Sequence, residues 1–117
     1  MRHRVAGRKL DRPTEHRLAL YRNLVAELID HEKIVTTVAK AKEVKSLTER
    51  VITLGKAGDL SSRRRAVAFL PEEKTAKKVF DDLARRYASR TGGYVRLVRT
   101  GQRVGDAAEM AQLELVE

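Results

Sequence analysis

The sequence contains no cysteine and no tryptophan, and only two prolines and five Phe and Tyr rings among 117 residues. Without cysteine there is no disulfide framework, no thiolate metal site and no thiol nucleophile. With so few rings, the core must be made of Leu, Val, Ile and Ala, within a hydrophobic share of 42%. A chain of this length can bury one such core but seldom two. No run approaches the roughly eighteen consecutive apolar residues that a membrane-crossing helix needs. Met1 to Arg12 reads MRHRVAGRKLDR and lacks a signal peptide's apolar stretch, which points to an intracellular chain.

Catalytic groupings are also missing. His31-Glu32 lacks the second histidine of an HExxH zinc site, and His3, His16 and His31 have no partners at metal-ligand spacing. Gly101 to Gly105 offers glycines without the GxxxxGK[ST] pattern of a phosphate loop. A Mg²⁺ nuclease needs clustered carboxylates, whereas Asp81-Asp82 sits beside Lys77, Lys78, Arg85 and Arg86 and reads as i,i+4 ion pairs. We therefore expect no enzyme, no cofactor, no metal and no small-molecule substrate.

Positive charge is what the chain has in excess. Twenty-five Lys and Arg against sixteen Asp and Glu leave a net charge of +9, which calls for a polyanionic partner. The excess is blocked: residues 1–22 hold seven bases and two acids, and 63–103 hold twelve and four. Residues 23–62 hold six of each, and 104–117 hold four acids and no base. A solvated face explains many basic runs, but such faces intersperse both signs because unpaired like charges repel. Phosphates would remove that repulsion and release counterions on binding.

Residues 1–12 have no apolar periodicity and carry Arg2, Arg4, Arg8, Lys9 and Arg12, the composition of an extended basic arm. Residues 13–117 read as a single globular domain. A first helix is expected from Pro13 and Thr14, with Thr14 as N-cap and Leu18, Tyr21, Val25 and Leu28 facing the core. His16, Arg17 and Arg22 then lie off the stripe and extend the positive surface. Ile34 to Val38 (IVTTV) predicts a short strand. The stripe Val44, Leu47, Val51, Leu54 predicts a second helix that stops near Gly55 or Gly58. Asp59 to Leu70 predicts a short helix around which Arg63, Arg64 and Arg65 fan. Pro71 suits the first turn of another, burying Ala76, Val79, Phe80, Leu83 and Tyr87. After Thr91-Gly92-Gly93, Tyr94 to Thr100 has strand composition, with Arg96 on the face of Tyr94 and Val98 and Arg99 on the other. Ala111, Leu113 and Leu115 alternate in a last strand, antiparallel to it. The sum is an α+β fold, about four helices on one side of a small three-stranded sheet.

Residues 90–103 (RTGGYVRLVRTGQR) combine arginines, adjacent glycines and a tyrosine, a mixture suited to phosphate; of its four arginines, Arg96, Arg99 and Arg103 are expected to bind. Tyr94 has two readings, a ring offered to RNA or the edge of the core. A duplex-DNA reader using the first helices has little support, and an RNA-processing enzyme lacks an activated nucleophile.

MRHR, GRKL, HRLALYRN, TTVAKAKE, RTGGYVR and GDAAEMAQLELV occur in this order over nearly the whole chain. Together they closely resemble the L-seventeen family of bacterial large-subunit ribosomal proteins. The resemblance implies an α+β domain with a basic arm, embedded in large-subunit ribosomal RNA beside neighbouring ribosomal proteins, near the nascent-chain tunnel exit of the cytoplasmic ribosome. On the matching positions it implies RNA contacts at Arg2, His3, Arg4, Arg8 and Lys9, and at His16, Arg17 and Arg22. It implies others at Thr37, Lys40 and Lys42, and at Gly92, Gly93, Tyr94 and Arg96. With Arg12, Arg63, Arg64, Arg99 and Arg103 from the charge pattern, these are the expected binding residues. The chain departs from the family at Asp11, Pro13, Thr14 and Glu15, where Asn and Ser are usual, and at Val95, where threonine is common.

Overall fold

The computed structural model describes residues 14–117, so the expected arm and its Arg2, His3, Arg4, Arg8, Lys9 and Arg12 lie outside the described residues. Helix α1 (Thr14–His31) leads into strand β1 (Lys33–Thr37), then helices α2 (Val38–Ala57) and α3 (Leu60–Phe69). Helix α4 (Glu73–Lys78) continues through a π-helical turn (Val79–Leu83) into a last α-helical turn (Ala84–Arg86). Strands β2 (Val95–Gln102) and β3 (Glu109–Leu115) close the chain. The sheet is antiparallel with β3 between β1 and β2. The expected α+β architecture, four helices on a three-stranded sheet, is what forms.

Helix α1 buries Tyr21, Val25 and Leu28 of the predicted stripe, together with Ile29, but Leu18 is 45% exposed. Residues 15–20 are exposed or half-buried, so the first turns of α1 overhang the core. Periodicity identifies a helix face; it does not say how far the neighbours reach along it.

Strand β1 begins one residue earlier than predicted and ends at Thr37, because Thr37 is the N-cap of α2 and its hydroxyl accepts from the Lys40 N–H at 3.4 Å. Helix α2 buries Ala41, Val44, Thr48, Val51 and Ile52 and stops at Gly58, whose left-handed φ of 69° ends it as expected. Gly55 is inside the helix: a Cβ there would lie 2.6 Å from Val79 Cγ1, so glycine lets the π turn close onto α2.

Asp59 caps α3, accepting from the Ser62 N–H at 2.9 Å. Pro71, expected inside the next helix, precedes it: Leu70 is extended at ψ 138°, as a residue before proline tends to be, and Glu72 is extended too. Ala76, Val79, Leu83 and Tyr87 are buried as predicted, with Phe80 half-buried.

On β3, Ala111, Leu113 and Leu115 face the core. Tyr94 does not share a face with Arg96. It precedes β2, follows Gly93 at φ 67°, and is buried at 2% exposure against Tyr87, with ring centroids 5.1 Å apart. Gln102 and Gly101 pair in register with β3, and a bulge at Thr100 separates them from Arg99.

Candidate nucleic-acid interface

The predicted cations fall into two electrostatic classes. On β2, Arg96 Nε donates to Glu114 at 2.9 Å and Arg99 to Glu109 at 3.4 Å. At the hairpin tip Arg103 Nε donates to Asp106 at 3.1 Å. The acids come from residues 104–117, which fold back as β3 beside the basic strand. The Arg103 guanidinium, with the Ala108 N–H, holds the Asp106 carboxyl down at about 2. An arginine so paired presents a phosphate with a dipole rather than a net charge.

The second class consists of bases on the helices. Among the described residues, Lys40, Lys42, Arg50, Arg63, Arg64 and Arg65 have no carboxylate at ion-pairing distance. Arg63 is held over the Phe80 ring at 5.2 Å and Arg22 over Phe69 at 5.9 Å, which orients each without neutralising it. Exposed His16 and half-buried Arg17 lie on the overhanging part of α1.

Two hollows gather expected residues. One, between the start of α2 and the end of β2, is lined by Thr37, Lys42 and Arg99 with Ala39 and Glu109. Lys40, half-buried, sits in the same first turn of α2. Here the Thr37 hydroxyl already serves as helix cap. The other is a cleft of about 590 Å³ between the outer face of α2, α3 and the Gly92-Gly93-Tyr94 turn. Ser46, Glu49, Arg50 and Thr53 line it from α2, and Arg65 from α3. The Tyr94 ring is packed beneath, its hydroxyl accepting from Lys56 Nζ at 2.8 Å, so the turn offers its bare backbone rather than the ring. Arg96 projects from the exposed face of the sheet and Arg103 from the hairpin tip, so neither joins either hollow.

Sequence reasoning misses Arg50 and Glu49. Both lie in the segment whose charges sum to zero, and only their spacing from Ser46 and Thr53 along a helix places them together.

Among the described residues no group of three His, Asp or Glu side chains could hold a metal ion, and no helix is long and apolar enough to cross a membrane.

The family pattern of Ribosomal protein L17 matches residues 20–116. The chain belongs to the ribosomal protein L17 family. It is 53% identical over all 117 residues to the large ribosomal subunit protein bL17 of Dehalococcoides mccartyi, covering 100% of that protein. It is 52% identical to that of Trichlorobacter lovleyi, covering 94%, and 55% identical to that of Zymomonas mobilis, covering 84%. The L17 match takes in both hollows and the hairpin, and the full-length relatives also span the basic residues 1–12. This is a family of ribosomal proteins, not of enzymes.

Proposed function

We propose that this chain is a structural constituent of the large ribosomal subunit that binds large-subunit ribosomal RNA and bridges separate segments of it. Residues 1–12 act as an extended arm and 13–117 as one globular domain. Neutralisation of phosphates and fit to RNA shape carry the binding. The observation behind this reading is the cations of α1, α2 and α3 that have no carboxylate partner among the described residues and line separate hollows of one packed structure, which suits more than one RNA segment. Resemblance to the family supports a site near the nascent-chain tunnel exit, among other large-subunit proteins of the cytoplasmic ribosome.

Sedimentation of a lysate carrying a tagged chain tests the reading. The chain is expected in the large-subunit peak and to remain there after a moderate salt wash; its absence from that peak rules the proposal out. Replacing Arg2, Arg4, Arg8 and Lys9 together by alanine should flatten the salt dependence of RNA binding, by about 0.7–0.9 in slope for each phosphate no longer neutralised. An unchanged slope removes the arm from the interface.

A further inference from the structure

Among the described residues nothing requires position 92 to be glycine. A Cβ there would meet no atom within 4 Å, and its φ is not among the positive values, unlike that of Gly93. A bare backbone facing open space suits close approach by another molecule.

Across the cleft from this turn, α2 aligns Ser46, Glu49, Arg50 and Thr53 at helical spacing. Half-buried Glu49 has one carboxylate oxygen, Oε2, shielded from solvent and without a hydrogen-bond donor. Neither Arg50 nor Arg65 pairs with it, although both line the same cleft. An unmatched carboxylate oxygen is costly, and turning the half-buried side chain into the cleft would let a donor from outside relieve it. Leu54 and Tyr94 give the cleft an apolar side, and its volume of about 590 Å³ admits far more than a phosphate.

We infer that the cleft receives a single unpaired guanine of the ribosomal RNA. The base lies against Leu54 and the Gly92-Gly93 backbone, Glu49 turns its carboxylate into the cleft, and Arg50 and Arg65 hold the flanking phosphates. A carboxylate only accepts hydrogen bonds. Guanine alone offers two adjacent donors, N1–H and the N2 amine, on its Watson–Crick edge. Adenine and cytosine set an acceptor nitrogen beside their amine, and uracil flanks its N3–H with two carbonyls. Since pairing occupies that edge, the guanine must be unstacked from any duplex, the state in which proteins read RNA bases. The inference rests on the RNA-binding function proposed above.

Large subunits assembled with the wild-type chain, with Gly92→Val or with Glu49→Gln provide the test. Gly92→Val narrows the cleft mouth, and since a Cβ there meets no described atom within 4 Å, its thermal unfolding should match wild type. Kethoxal, which adds to guanine N1 and N2, reads the base, and hydroxyl-radical cleavage reads the RNA backbone around the chain. One guanine protected in wild-type subunits should become about tenfold more reactive with either variant, while the backbone footprint away from the cleft, which reports that the chain is bound, stays. An intact footprint with every guanine equally reactive in all three subunits overturns the guanine site and leaves the RNA-binding function standing. No backbone footprint from the wild-type chain overturns both.

Discussion

Glu32 ends α1 in the left-handed region at φ 64°, a conformation that costs a non-glycine residue about 1–2 kcal/mol. Its carboxylate accepts from Lys78 Nζ at 3.0 Å and from both terminal nitrogens of Arg86, which also reaches Asp82 at 3.1 Å. The Arg86 and Lys78 hydrogen bonds lower the Glu32 carboxyl to about 2. A carboxyl depressed on folding stabilises the folded state above its unfolded value, and that contribution fades as pH falls toward the folded one. Glu32→Gln should therefore cost about 1 kcal/mol at pH 7, allowing for solvent screening. In urea unfolding, the gap from wild type should be full above about pH 4.5 and close as pH falls toward 2; a gap independent of pH contradicts it. Thr48 is the opposite case: fully buried, its hydroxyl has no hydrogen-bond partner among the described residues. Thr48→Val keeps the shape and removes the unmatched oxygen, so the urea midpoint should rise by the equivalent of about 1 kcal/mol.

The elements show which physical signals a sequence displays. The helices over Tyr21 to Ile29 and Val44 to Ile52, and the alternation of β3, follow from apolar periodicity, which is local and therefore legible. Leu18 and Pro71 depart from expectation for a different reason: both sit where an element outruns its neighbours or begins, and only tertiary contacts define such edges. Gly55 reads as a stop signal in the sequence, yet its role is to admit Val79, a contact made across 24 positions of sequence. Gly55→Ala would add about 1 kcal/mol of helix propensity. Against that, its Cβ meets a stiff, fully buried valine, and overpacking of this kind costs about 1–3 kcal/mol. Net destabilisation is expected in urea unfolding, with partial recovery in the double variant Gly55→Ala/Val79→Ala.

Across the whole molecule, segment charge points to a polyanionic partner but does not display which cations have a carboxylate beside them. The basic block at 63–103 and the acidic end at 104–117 are separate in sequence, yet the β2–β3 hairpin lays one on the other, and Arg96, Arg99 and Arg103 each acquire a carboxylate. Arg50 is hidden by averaging in a neutral segment, and it lines the cleft of about 590 Å³ with Arg65 and the Gly92-Gly93 turn. Among the described residues the helices, more than the second strand, thus carry the cations without a carboxylate neighbour, and on the proposed function these are the ones that meet phosphate. The most direct check is the salt dependence of binding to large-subunit ribosomal RNA for Arg50→Ala/Arg65→Ala and for Arg96→Ala/Arg103→Ala. The first pair should lower the slope of log K against log salt by about 0.7–0.9 per arginine, and the second by clearly less. Equal reductions from both pairs, or none from the first, would contradict the account.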